Sequence, residues 1–315
     1  MTRLWDDHAV MVGHISDREG WLDVRSTGIG ASEVASVLGC GFLAPAELWA
    51  VKTGQIPAND LSEIERIEWG NRLEPVIIDA YSEPRYAGRM VQRGGELLRS
   101  TVYPWAVCTL DAVTLHPEHG PIPLEIKTAS AFLARDWIDG PPEPYYLQIQ
   151  AQMLVTGSRW ASIACLIGGQ QLVWCDVERD EATIARIVAA CSRMWRAIEE
   201  CEMPPPDATP EWAQVFGRLN PEIAGKVIAL DDADRDLVAE YEASKSAKRL
   251  AEAREQLAKN VLIERIGDAE EARFSDGSGL TYRTQTRAEH VVKASTSRVL
   301  RESAAPKKTS KRKAA

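Results

Sequence analysis

Asp111-Ala-Val-Thr-Leu-His-Pro-Glu-His-Gly-Pro-Ile-Pro-Leu-Glu-Ile-Lys-Thr128 is two apolar runs joined by a turn at Pro117–Gly120. The first run opens on an acid, and the second carries an acid and a lysine near its end. Ile122, Leu124 and Ile126 alternate as in a strand, so Glu125 and Lys127, two residues apart, leave the same face of the sheet. A hard divalent cation is usually held by one or two carboxylates together with water and phosphate oxygens, and Asp111 with Glu125 supplies such a pair. A bound metal lowers the pKa of its water, and Lys127 is placed to orient that water or take its proton. The stretch therefore reads as a metal site with a built-in base, suited to phosphodiester hydrolysis. Glu-Ile-Lys alone would be no more than a surface ion pair.

Three other segments change that weighting. In Glu68-Trp-Gly-Asn-Arg-Leu-Glu74-Pro-Val-Ile-Ile-Asp-Ala-Tyr81, Leu73, Ile77 and Tyr81 share one side of a helix. Pro75 removes one helical hydrogen bond, so it either opens the helix or kinks it, with Glu74 at the start or bend. Pro144 to Gly157 reads as a helix opened by proline and closed by glycine. Gln148 and Gln152 share a face and Gln150 points away. Without context these glutamines read as solvated on a half-exposed helix, because burial would require a partner for every amide. Near the N-terminus, Gly28-Ile-Gly30-Ala-Ser32 brings backbone close to a bound group and opens a helix whose free N–H groups favour an anion. Arg25 adds a bidentate phosphate contact.

In chain order, Arg25 and Ser32, Glu74, Asp111, Glu125-x-Lys127 and Gln148 resemble the lambda-exonuclease-like, YqaJ-type viral recombinase branch of the PD-(D/E)XK nucleases. The resemblance covers roughly residues 20 to 200. It implies an α/β restriction-endonuclease-like core, a central mixed β-sheet flanked by helices. It also implies that Glu74, Asp111 and Glu125 bind metal with the backbone carbonyl of Ile126, that Lys127 is the catalytic lysine and that Gln148 supports the site. Arg25, Ser32 and Thr109 match the residues that hold a terminal 5′-phosphate. The cofactor implied is Mg²⁺, with Mn²⁺ as a substitute. The family name's Pro-Asp is here Leu110-Asp111, a departure with no chemical cost.

The activity implied is 5′-to-3′ degradation of one strand of double-stranded DNA. It exposes a 3′ single strand for a single-strand annealing recombination protein of a phage or prophage, in the cytoplasm of a bacterial host. Relatives form rings that encircle DNA, so a homo-oligomer is a further expectation. Two alternatives stand beside it. An endonuclease of the same superfamily would not need Arg25 at a terminal phosphate, and an inactive DNA-binding protein of the same fold would not need the acids and lysine.

The rest of the chain sets the domain plan. At 315 residues, one sizeable α/β domain with an appendage is expected. No run approaches the ~20 apolar residues that cross a bilayer, and the first residues lack the apolar region of a signal peptide. Six cysteines scattered among apolar neighbours without a Cys-x-x-Cys pair read as reduced core residues, not iron–sulfur ligands. All ten tryptophans lie between Trp5 and Trp212.

Hydrophobic patterning predicts strands over 160–167 and 171–177 around a Gly168-Gly169 turn, then an amphipathic helix over 181–200 covering the sheet. Met203-Pro-Pro-Pro-Asp-Ala-Thr-Pro210 breaks regular structure. The plan is thus a nuclease domain over 1–205, a linker over 206–230, a helical and β-hairpin extension over 231–300 and a basic disordered tail over 301–315. Asp231 to Ile266 reads as one long helix or a helical hairpin, a packed arm rather than a coiled coil because its apolar positions keep no heptad. The net charge is −9, and residues 271–315 carry eleven Lys/Arg against four Asp/Glu, leaving −16 on the first 270. Such a balance excludes a generic DNA-coating protein but not an enzyme with a local basic channel.

Overall fold

A computed structural model of the chain describes residues 4–5, 7–58, 64–206 and 208–286. The chain divides into two units, Met1–Pro221 and Glu222–Ala315. In the first, the order is β1 (Ala9–His14), α1 (Arg18–Ser26), β2 (Ile29–Gly30), α2 (Val34–Val37), α3 (Pro45–Lys52), α4 (Glu65–Tyr81), β3 (Val91–Arg93), β4 (Glu96–Ser100), β5 (Ala106–Thr109), β6 (Ala112–His116), β7 (Gly120–Ala129), α5 (Glu143–Thr156), β8 (Trp160–Ile167), β9 (Gln171–Glu178), α6 (Glu181–Glu199) and α7 (Pro210–Leu219). Single 3₁₀ segments precede α2 at Ala31–Glu33 and α5 at Ala131–Trp137.

The strands form two mixed sheets, β3-β6-β7-β8-β9 and β1-β4-β5-β2. Within the larger, β7 pairs antiparallel with β6 and parallel with β8. Ile122 to Ile126 are all buried, as a strand covered on both faces must be. On one face Leu124 and Ile126 pack with Ile77, Ile78 and Tyr81 of α4, as the spacing of that helix predicts. On the other, Ile149 and Met153 of α5 meet Ala161, Ile163 and Cys165 of β8. At the β8–β9 hairpin Gly168 and Gly169 have φ of +60° and +70°, and Gln170 N–H donates to the Ile167 carbonyl, a turn that residues with a Cβ adopt at a cost.

Helix α5 is covered on every side. Leu147, Ala151, Leu154 and Val155 pack with residues of the smaller sheet and of α6 while Ile149 and Met153 face the larger sheet. A helix apolar all round is a core helix, which corrects the half-exposed reading for Gln150 and Gln152, whereas Gln148 is partly exposed. Helix α6 spans the predicted range but packs chiefly on α5, α2 and α3 rather than covering the sheet. Pro75 lies inside one continuous helix, α4, with Glu74 in its interior.

The stretch read as a linker, 206–230, contains α7, whose Val215 is 2% exposed within the main core. Trp212, Val215 and Leu219 recur at three- and four-residue steps, a helical face strong enough to keep this segment in the first unit after the proline-rich break.

The second unit contains α8 (Ala233–Ile266) and an antiparallel hairpin of β10 (Glu271–Arg273) and β11 (Gly279–Thr281). Helix α8 is one element of 34 residues, a single long helix and not a helical hairpin, and none of its residues is buried. Residues 287–300 of the expected extension and the basic tail over 301–315 lie outside the described residues. Among the described residues no helix is long and apolar enough to cross a membrane. All six cysteines are free thiols. Burial pushes Cys165 and Cys191 up to about 12, but Cys201 is exposed and departs from the core reading.

Candidate active site

The β6–β7 ladder ends at Ala112–Leu124, so beyond Leu124 the strand β7 has no neighbour on that side. Asp111 fills the gap, its Oδ2 accepting the Ile126 N–H at 2.8 Å. Because a strand residue directs its N–H and C=O to the same side, the Ile126 carbonyl faces the edge on which Asp111 lies.

Glu125 is 2% exposed and hydrogen-bonded on both oxygens. Oε1 accepts from Lys127 Nζ and from Gln148 Nε2 at 2.5 Å, and Oε2 accepts from Gln152 Nε2 at 2.5 Å. The same-face reading of Glu125 and Lys127, and of Gln148 and Gln152, thus has its contact. Gln150 points away, donating to the Glu178 carbonyl and accepting from Asp180 N–H, both at 2.9 Å. Lys127 Nζ also sits 5.2 Å from the centroid of the Tyr145 ring.

Electrostatics tie the acids together. Burial pushes the Asp111 carboxyl well above the usual range, and the Glu125 and Glu74 carboxylates push it further against Lys127 and the Ile126 N–H. Glu74 is raised by burial and then by Glu125, opposed by Lys127 and Arg93. Burial pulls Lys127 down, but Glu125, Asp111 and the hydrogen bond to Glu125 outweigh it and leave its pKa above the ordinary lysine value.

Among the described residues no three His, Cys, Asp or Glu side chains form a ready-made metal cage. The donor chemistry nevertheless fits a hard cation, which takes one or two carboxylates and keeps several waters. Asp111, Glu125, Glu74 and the Ile126 carbonyl are all oxygen donors, and the mutual repulsion of the acids is a burden that a cation would relieve.

A second cluster stands beside the acids. The parallel pairing of β2 with β5 aligns Ile29 with Ala106 and Gly30 with Val107, so the chain leaving β2 through Ser32 runs beside Thr109. Arg25, in the last turn of α1, donates from Nη2 to Ser32 Oγ at 2.8 Å, and its Cζ lies 4.9 Å from the Trp21 ring centroid. Trp21 Nε1 donates to Thr109 Oγ1 at 2.9 Å. Arg25, Ser32 and Thr109 are thereby gathered around one indole, and Thr109 stands two residues from Asp111.

The helix expected to open at Ser32 is only a 3₁₀ turn followed by one turn of α-helix, and the Gly30 N–H is not free: it donates to Glu33 Oε2 at 2.7 Å. Nor does Gly28 serve a ligand, because a Cβ there would lie 2.6 Å from the Trp105 carbonyl oxygen. Any contact to an anion at this cluster would therefore fall to side chains.

Gln152, Trp21, Glu33, Lys52 and Tyr145 were not singled out for roles by the sequence reading. Gln152 had a signal, its four-residue step from Gln148. Lys52 had none, because its partners Glu33 and Arg25 come from segments 19 and 27 residues away.

Residues 20–159 match the family model of the YqaJ-like viral recombinase domain. The uncharacterized protein YqaJ of Bacillus subtilis (strain 168) is 35% identical over 182 residues, 56% of this chain and 55% of that protein, so the match spans about half of the relative's length. Among solved structures, the chain is similar to an alkaline exonuclease from Laribacter hongkongensis, at 24% identity and a TM-score of 0.48 over 58% of this chain and 93% of that one. It is also similar to a phage-related exonuclease from Haemophilus somnus 129PT, at 14% identity and a TM-score of 0.39 over 56% and 96% of the two chains. The stretch that resembles the YqaJ-like viral recombinase domain is less than half of the chain, and the motifs from Arg25 to Gln148 lie within it.

Proposed function

We propose that this protein is a metal-dependent deoxyribonuclease that degrades one strand of duplex DNA from its 5′ end. The observation that carries this reading is the buried Glu125, clamped by Lys127, Gln148 and Gln152 beside Asp111, two residues from a cluster of Arg25, Ser32 and Thr109. A structural ion pair needs neither two amide donors on one carboxylate nor a neighbouring acid whose charge it opposes.

Asp111, Glu125, Glu74 and the Ile126 carbonyl would hold Mg²⁺, or Mn²⁺ in its place. Such an ion lowers the pKa of its bound water and neutralises phosphate oxygens. Gln148 and Gln152 fix the plane of the Glu125 carboxylate. Lys127, with its pKa raised, is an ammonium that donates rather than accepts, which suits it to orient water or hold a phosphate oxygen. Arg25 and Ser32 offer their donors to a terminal 5′-phosphate, with Thr109 as the small hydroxyl beside them. The product would be a 3′ single strand, the substrate of a single-strand annealing protein.

The test is metal-dependent release of nucleotides from linear duplex by Asp111→Ala and Glu125→Ala. Both variants are expected to fold and to lose the activity, because a site that needs both charges cannot hold the ion productively with one. Turnover like that of the wild type in either would refute the assignment.

A further inference from the structure

Beneath Arg25 lies an ion pair that hydrolysis does not use. The Lys52 side chain, at the end of α3, is 5% exposed, and its Nζ sits 2.9 Å from Glu33 Oε2. Nζ also donates to the backbone carbonyl of Arg25 at 3.1 Å. Glu33 Oε1 stands 3.9 Å from Arg25 Nη2. A carboxylate so close to the cation of an anion pocket works against the pocket: Arg25 and Glu33 alone sum to zero, and with Lys52 the three groups carry one net positive charge.

We propose that Lys52 is a positioning residue for recognition of the DNA end, neutralising Glu33 and tethering the last turn of α1 so that the Arg25 guanidinium faces a terminal 5′-phosphate instead of Glu33. This rests on the reading of Arg25, Ser32 and Thr109 as the phosphate pocket. The geometry gives Lys52 two separate holds on Arg25, one through charge and one through its carbonyl. Burial works against the charge of Lys52 and Glu33 sustains it, so the pair is a mutual one. Removing the lysine leaves a largely buried carboxylate whose nearest remaining cation is Arg25, and an unpaired buried charge seeks a partner.

The experiment measures binding of the full chain, in EDTA so that no hydrolysis occurs, to a hairpin duplex whose single end is 5′-phosphorylated or 5′-hydroxyl. A charge-assisted contact gives the wild type a preference for phosphate of about tenfold to a hundredfold, lost in Arg25→Ala. Lys52→Met is expected to fall to within about threefold of Arg25→Ala, and the double variant Glu33→Gln/Lys52→Met to regain most of the preference, because the competing carboxylate is gone while the Gly30 N–H keeps an amide acceptor. A general loss of packing would not be restored by that second change.

Retention of the preference in Lys52→Met overturns the proposal while leaving the phosphate pocket standing, as does loss of it in both Lys52→Met and the double variant. A wild type indifferent to the 5′ group overturns the pocket and the proposal together. If Lys52→Met does not fold, Glu33→Gln decides: a preference at or above that of the wild type supports the proposal, and a fall to the Arg25→Ala level overturns it.

Discussion

Replacing Gln152 by leucine separates holding the active-site carboxylate from holding the fold. Gln152 is 1% exposed, donates through Nε2 to Glu125 Oε2 at 2.5 Å, and leaves its own Oε1 buried with no partner. A hydrogen bond to a charged group contributes about 1.5–3 kcal/mol, whereas a buried polar atom without a partner costs about 1–3 kcal/mol. Leucine removes both but leaves the buried Glu125 Oε2 short of this donor, so the terms offset only in part and unfolding stability should fall by about 1–3 kcal/mol. The effect on chemistry has no such compensation. Glu125 Oε1 keeps Lys127 and Gln148, but Oε2 loses the one donor it has among the described residues and the carboxylate plane is no longer fixed. Misplacement of a reacting group by about 1 Å can cost a hundredfold, so the rate of nucleotide release from linear duplex should fall by about tenfold to a hundredfold. Urea unfolding and initial rates on the same preparation check both halves. A leucine variant that turns over like the wild type, or whose activity falls only in proportion to a stability loss beyond about 3 kcal/mol, would refute the argument.

Two further outcomes follow from the same site. Lys127→Ala should lose hydrolysis while calorimetry still detects Mg²⁺ or Mn²⁺, since an ammonium is no ligand for a hard cation; a binding loss equal to that of Asp111→Ala would contradict the role. Asp111→Asn should be more stable than the wild type at neutral pH without metal, although inactive. The folded-state pKa of Asp111 is raised above its unfolded value, so the stability it contributes is present at low pH and is lost as pH rises through the carboxylate range toward the folded value. The difference between the two proteins in unfolding midpoint should therefore grow from acid to neutral pH, and a pH-independent difference would count against the buried-acid assignment.

How much of this was legible in the sequence depended on the distance over which each signal acts. Strand alternation put Glu125 and Lys127 on one face, and helical spacing paired Gln148 with Gln152, because both are local consequences of backbone geometry. That Gln150 and Gln152 are buried was not legible, since it requires knowing that α5 is covered by two sheets and by α6. The role of Pro75 stayed open for a similar reason: only the packing of Ile77, Ile78 and Tyr81 on β7 keeps one helix running through it. Over 206–230 the break at Pro204 to Pro206 masks the apolar face of Trp212, Val215 and Leu219, which packs α7 into the first unit. Glu33 and Lys52 meet only because the fold brings the end of α3 to the segment that follows β2, which no local pattern encodes.

The central claim is most directly tested by giving the wild-type chain a linear duplex with 5′-phosphate ends beside a covalently closed circle of the same sequence, with Mg²⁺ and with EDTA. The account predicts that the linear strand bearing the 5′ end is shortened progressively in Mg²⁺ alone, leaving its complement single-stranded and the circle intact. Rapid cutting of the circle, or equal digestion in EDTA, would contradict it.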